Sequence, residues 1–166
     1  MIGLDQATRE RQAVNATSLG FAARLNVTQE DGASVGLTLP GEIDLLAAEP
    51  RRGRIWVAEI KDQTAAASPR MMRQRADRFF GPRGHIENLV AKAAVFGENP
   101  DAAATLVSSD TPACPWRVVP LMITRVVELA AFADGVSVPF VLLADLEGLL
   151  KHIGDPVPGP FPIVLD

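Results

Sequence analysis

Residues 42–61 constrain the fold more than any other stretch of the chain. Glu42-Ile43-Asp44-Leu45-Leu46-Ala47 begins by alternating acids with apolar side chains, and Arg54-Ile55-Trp56-Val57-Ala58-Glu59-Ile60 is a run of high β-propensity. Between them Pro50 to Gly53 is a polar turn. Two strand-like runs joined by so short a turn predict an antiparallel hairpin. Such pairing folds the start of the first strand against the end of the second, so Asp44 meets Glu59 and Lys61. Glu59 and Lys61 differ by two positions and emerge on one face, with Ile60 pointing into the core between them. Glu42, two residues from Asp44, is expected on Asp44's face.

The rest of the chain reads as further elements around that hairpin. Residues 4–18 lack Gly and Pro and are rich in helix formers, so a helix is expected there, ended by Gly20. Phe21 to Val27 and Val35 to Leu39 read as a second hairpin around the turn residues Asp31 and Gly32, closed by the break Pro40-Gly41. Ser68 to Phe80 and Gly84 to Phe96 are helix-like and parted by Gly81-Pro82. Cys114 to Thr124 and Val136 to Leu143 contain buried-strand runs, with Val126 to Ala133 as a short helical crossover. Asp145 is placed as the N-cap of a helix that Gly154 can close. From about residue 155 the prolines at 156, 158, 160 and 162 forbid a helix and favour an extended tail. This order implies an α/β fold, a mixed β-sheet flanked by helices on both faces.

Length and composition narrow the function classes. With 166 residues the chain fits one domain, taken as 1–166. A hydrophobic fraction of 48% without any apolar run near the roughly 20 residues of a membrane span argues against a membrane protein. Met1 to Gln12 has no apolar block of the secretory kind, and Cys114 is the only cysteine, so the expected location is cytoplasmic. The net charge of −4 argues against coating of nucleic acid by bulk electrostatics, so any contact would be local. The absence of Tyr and of an aromatic platform makes a two-carboxylate glycosidase a poor fit.

Carboxylates at strand ends are usually solvated, and Glu-X-Lys is common on exposed strands. The joint pattern is more specific: an acid after a Pro-Gly break, then apolar-Glu-apolar-Lys closing a strongly β run fifteen positions later. Two hard carboxylates brought together repel unless a cation lies between them, and Mg²⁺ or Mn²⁺ favours such oxygen ligands. Lys61 would then neutralise a phosphate or hold a metal-associated water.

GEIDLLA followed by IWVAEIKD, from Gly41 to Asp62, resembles the PD-(D/E)XK nuclease superfamily, with its restriction-endonuclease-like fold. The likeness is to the small bacterial families of the nuclease-related-domain and junction-resolvase-like kind. That fold orders a helix, a three-stranded meander bearing the motif, a helix and a further strand. The departure is Pro40, four residues before Asp44 rather than next to it. The resemblance implies Asp44 and Glu59 as ligands of Mg²⁺ (or Mn²⁺), Ile60 as a ligand through its backbone carbonyl, and Lys61 as the catalytic lysine. It also implies an acid from the first helix, for which Glu10 is the first candidate and Asp5 the second. The activity implied is hydrolysis of nucleic-acid phosphodiesters, DNA rather than RNA, leaving a 5′-phosphate.

Arg70, Arg73, Arg75 and Arg78 follow the motif with only Asp77 opposing them, and their three-residue spacings can form a phosphate-binding helix face. The alternative is a solvated helix that packs through Met71, Met72, Phe79 and Phe80. Arg51, Arg52 and Arg54 flank the motif hairpin and could add to the field. His85, His152 and the two tryptophans have no metal, triad or stacking spacing, and Lys92, on the helix after the motif, could reach the site but receives no role. Two other classes stay open: a non-catalytic nucleic-acid-binding or assembly module, and an RNA-cleaving toxin or terminal domain of a larger protein. A homodimer is compatible with each.

Overall fold

The computed structural model describes residues 20–151, 154 and 156–161. The helix expected over 4–18, with Asp5 and Glu10, lies outside them, as does His152. Six strands form one mixed sheet in the order β1-β2-β3-β4-β5-β6. β1 (Ala22–Val27) pairs antiparallel with β2 (Ile43–Glu49), which pairs antiparallel with β3 (Arg54–Lys61). β3 then runs parallel to β4 (Arg117–Thr124), and β4 to β5 (Pro139–Leu142). β6, the short Gly159–Pro160, adds parallel to β5, so the proline tail is extended and strand-like here.

The motif hairpin has the expected register, Leu45 opposite Ala58 and Glu49 opposite Arg54. Its turn is a 3-10 segment, Pro50–Arg52, ended by Gly53 at φ +57. A side chain at 53 would be strained by that φ, and its Cβ would lie 2.6 Å from the Cys114 carbonyl oxygen.

The hairpin expected around Asp31 and Gly32 does not form. Gln29–Ser34 is instead a short helix, α1, started by a reciprocal capping box. The Thr28 hydroxyl accepts from Asp31 N–H at 3.3 Å, and Asp31 Oδ2 accepts from Thr28 N–H at 2.8 Å. Val35 to Leu39 is not a strand, and β1 finds its partner in β2. Leu39 is buried over Gly32, where a Cβ would lie 2.6 Å from the Leu39 Cγ.

Parallel pairing of β3 with β4 demands a long crossover. It is supplied by α2 (Pro69–Phe80), α3 (His85–Glu98) and α4 (Pro100–Leu106). The α2–α3 break falls at Gly81-Pro82 as expected; α4, opened by Pro100 after Asn99, is an additional helix. The 126–133 crossover is only a 3-10 turn, Leu129–Phe132, and α5 (Leu146–Lys151) follows a second 3-10 turn that ends at Asp145.

Alternation along β3 gives the sheet two apolar faces. Ile55 and Val57 pack with Leu46, Met122 and Phe140 under Phe79 of α2 and Leu89 and Phe96 of α3. Trp56, Ala58 and Ile60 pack with Leu45, Leu121 and Val141 against Leu146, Leu149 and Leu150 of α5. Full burial of each large side chain stabilises by about 1.5–3 kcal/mol. Both faces being covered, β2 and β3 are buried almost throughout. No helix among the described residues is long and apolar enough to cross a membrane.

Candidate functional site

Charged side chains interrupt this apolar sheet at the two ends of the β2–β3 hairpin. At the turn end Glu49 meets Arg54 Nε at 3.1 Å and Arg52 Nη1 at 2.6 Å, and the Arg54 guanidinium lies 5.4 Å from the Trp56 ring centroid. Arg54 is 1% exposed. A buried guanidinium held by a carboxylate and an aromatic face serves packing, contrary to the expectation that Arg54 could add to a phosphate-binding field; Arg52 is partly exposed.

The open end carries the motif. The β2–β3 ladder stops at Leu45 and Ala58, and one residue further Asp44 replaces a ladder bond with its side chain. Its Oδ2 accepts the Ile60 N–H at 2.7 Å. The next side chain along β3 from Ala58 is Glu59, whose Oε2 meets Lys61 Nζ at 2.6 Å, as expected for side chains two apart on one face. The structure therefore joins Asp44 to Ile60 and Glu59 to Lys61 at this end of the hairpin. Asp44 and Glu59 are buried, whereas carboxylates at strand ends are usually solvated.

Sequence reasoning placed Lys92 within reach of the site and gave it no role. From the middle of α3 it donates to Glu59 Oε1, so an ammonium serves each oxygen of that carboxylate. Its place on the helix explains this: Leu89, Lys92, Ala93 and Phe96 form the buried stripe of α3. A lysine inside an apolar stripe must find a counter-charge, and that was the available signal. Gly41, in the break before Asp44, runs against the same ammonium, and a Cβ there would lie 3.4 Å from Lys92 Cε.

Burial alone would push the Glu59 carboxyl up. The Lys61 ammonium, through its hydrogen bond and charge, and then Lys92 outweigh that and hold it below its ordinary value. His85, at the first turn of α3, is half-buried with its ring edge-on to Phe79 at 5.1 Å. Desolvation and then the Lys61 charge push its pKa down, with Arg78 and Lys92 adding to this and Glu59 opposing it. The imidazole is thereby kept neutral beside a cluster of cations.

The arginine helix starts one loop beyond Lys61. Arg70, Arg73 and Arg78 are exposed on α2. Arg75 is half-buried, donating to the Thr64 carbonyl and lying 3.8 Å from Glu128, so it ties α2 to two loops. Of the apolar residues in α2 only Phe79 is buried; Met71, Met72 and Phe80 stay exposed, so the helix does not pack through all four. A polar cleft of about 370 Å³, lined by Asp62, Gln63, Thr64, Gln74, Arg75 and Arg78 among others, separates α2 from the end of β3.

Among the described residues no group of three or more His, Cys, Asp or Glu is gathered. The Asp44 carboxylate is engaged by the Ile60 N–H, and the Glu59 carboxylate by the ammoniums of Lys61 and Lys92. Comparison with family models, with curated proteins and with solved structures returns no match.

Proposed function

We propose that this chain is a metal-dependent nuclease of restriction-endonuclease-like fold, acting on DNA in preference to RNA. The observation that carries the reading is Glu59, a buried carboxylate held by two ammoniums one residue from the amide that binds Asp44. Buried charge is costly, and ammoniums held in place at the end of a strand can stabilise charge that develops during a reaction. The antiparallel β1–β2–β3 meander with its motif, followed by helices and a strand parallel to β3, supports the fold assignment.

Asp44, Glu59 and the Ile60 carbonyl would hold Mg²⁺ or Mn²⁺, with Glu10 as a further candidate. Bound there, the ion supplies Lewis-acid polarisation of a phosphoryl oxygen and a more acidic water. Lys61, partly exposed, neutralises a phosphate at the mouth of the site. Arg78 on the polar cleft and Arg70 and Arg73 on the exposed helix face hold the backbone of the nucleic acid on either side.

Purified protein incubated with single-stranded, double-stranded and branched DNA and with RNA, each with Mg²⁺, Mn²⁺ or EDTA, tests this. The expected result is cleavage of a DNA substrate that EDTA abolishes and that Asp44→Asn lacks. Failure of every substrate to be cut by a protein with a normal melting curve overturns the enzymatic reading. A non-catalytic binding module is the second reading, because two carboxylates and two ammoniums balance without any metal. Binding of nucleic acid that is indifferent to EDTA, without cleavage, identifies that case.

A further inference from the structure

Lys92 is the one member of the cluster that comes from a helix, and it is buried, with 7% of its surface exposed. Its ammonium takes Glu59 Oε1, while Lys61 takes Oε2 at 2.6 Å. Each oxygen of Glu59 therefore carries an ammonium, and a divalent cation approaching that carboxylate meets a unit positive charge on either side. Lys61 sits at the rim, where water offsets much of its attraction to Glu59 and where a phosphate is its natural partner. Lys92 sits inside, where a unit charge close to a divalent ion is screened far less. Gly41, which carries only hydrogen, borders the Lys92 terminus, where a Cβ would lie 3.4 Å from Cε and 3.9 Å from Nζ.

We infer that Lys92 is an exchangeable counter-ion of Glu59: a divalent cation entering between Asp44 and Glu59 displaces the Lys92 ammonium from Oε1, and Lys92 thereby sets the affinity of the site for metal. The inference rests on the reading of this pair as a cation site. Lys92 is in this sense a positioning residue, because it acts on the reaction only through Glu59. A lysine that merely anchors α3 to the sheet would leave cation affinity unchanged when replaced by a side chain of equal reach.

Titration with Mn²⁺, followed by the electron paramagnetic resonance of the free ion, distinguishes the two roles in the wild type, Lys92→Met and Lys92→Arg. Met keeps the stem and removes the charge, so Mn²⁺ should bind about tenfold more tightly, the order expected on removing a unit charge near a divalent ion. Arg keeps the charge and should bind Mn²⁺ no more tightly than the wild type. In the wild type itself, acetylation of Lys92 read by mass spectrometry should rise when Mn²⁺ is added. Equal or weaker Mn²⁺ binding by a folded Lys92→Met protein overturns the inference, and leaves the nuclease reading standing where the wild type binds Mn²⁺ and cuts. Binding by Lys92→Met alone supports the inference and removes the nuclease reading for the wild type, whereas no binding by either removes both. Should Lys92→Met fail to fold, Lys92 acetylation that saturating Mn²⁺ leaves unchanged overturns the inference on its own.

Discussion

The Lys92 ammonium of α3 reaches Glu59 of β3, 33 positions earlier in the chain, and fastens the helix to the sheet at the candidate site. Removing one partner of a buried ion pair strands the other, at a cost of about 3–5 kcal/mol when no substitute exists. Glu59 keeps Lys61 as a second partner, so Lys92→Met should cost less, about 1–3 kcal/mol. The Lys61 side chain is 21% exposed, and Lys61→Met should cost under about 1 kcal/mol. Urea unfolding of the two variants checks the order; equal losses would mean that burial does not govern this cluster.

Arg54 offers the same test at the other end of the hairpin. Its guanidinium is bound by Glu49 and lies against Trp56, far along β3 from Lys61. Arg54→Ala removes packing and one of the two cations on Glu49, which keeps Arg52, and should destabilise by about 1–3 kcal/mol. Nucleic-acid binding measured on the fraction that remains folded should be unaltered, because this cluster faces no cleft of the candidate site. A selective loss of binding at normal stability would return Arg54 to the phosphate field.

What is legible in the chain is governed by local pattern. β-propensity and alternation locate β2 and β3, and two-residue periodicity places Glu59 and Lys61 on one face, because a strand leaves little other freedom. Gly81-Pro82 locates the α2–α3 break for the same reason. α1 escapes that reading because Asp31 and Gly32 are common turn residues, whereas Thr28 and Asp31 at three-residue spacing form a capping box. Lys92 and Arg75 escape it because each depends on a distant partner, Glu59 and Glu128, that no local rule brings near. The burial of Asp44 follows from its bond to Ile60 N–H, which is a tertiary contact.

Stability should decline on acidification in two stages. The His85 pKa is lowered in the folded chain, so the unfolded chain binds the proton first, and stability is lost as the pH falls below about 6.5 toward the folded value. Glu59 is also held below its ordinary 4.5, so its contribution is complete above that pH and drains as the pH falls through its folded value. Denaturation midpoints measured from pH 8 downward should show both, and His85→Asn should remove the first stage alone. A His85→Asn profile parallel to that of the wild type would show that the imidazole is not kept neutral by its surroundings.

Changing Arg73 and Arg78 to Ala should weaken DNA binding to a similar extent for all sequences. The salt dependence, log Kd against log salt, should flatten by about 0.9 for each duplex phosphate that the variant no longer neutralises. Arg75→Ala is a different experiment, since Arg75 holds the Thr64 carbonyl and faces Glu128; it should lower the melting temperature as well. An unchanged salt slope in the Arg73, Arg78 double variant would make α2 a solvated face.

Asp44→Asn and Lys61→Ala should separate cation binding from turnover. Asn retains an oxygen that can accept the Ile60 N–H, so the hairpin end and the melting temperature should be preserved while the charge that attracts a hard divalent ion is removed. Calorimetric titration with Mn²⁺ should then give little heat, and cleavage should be abolished. Lys61→Ala leaves both carboxylates and removes one competing ammonium, so Mn²⁺ should bind at least as well as to the wild type. Its single-turnover rate should fall by about 10²- to 10⁴-fold, the range for loss of a positioned acid-base or electrostatic group. Full activity in Lys61→Ala would remove the lysine from the chemistry, and undiminished Mn²⁺ binding in Asp44→Asn would move the cation site away from the motif.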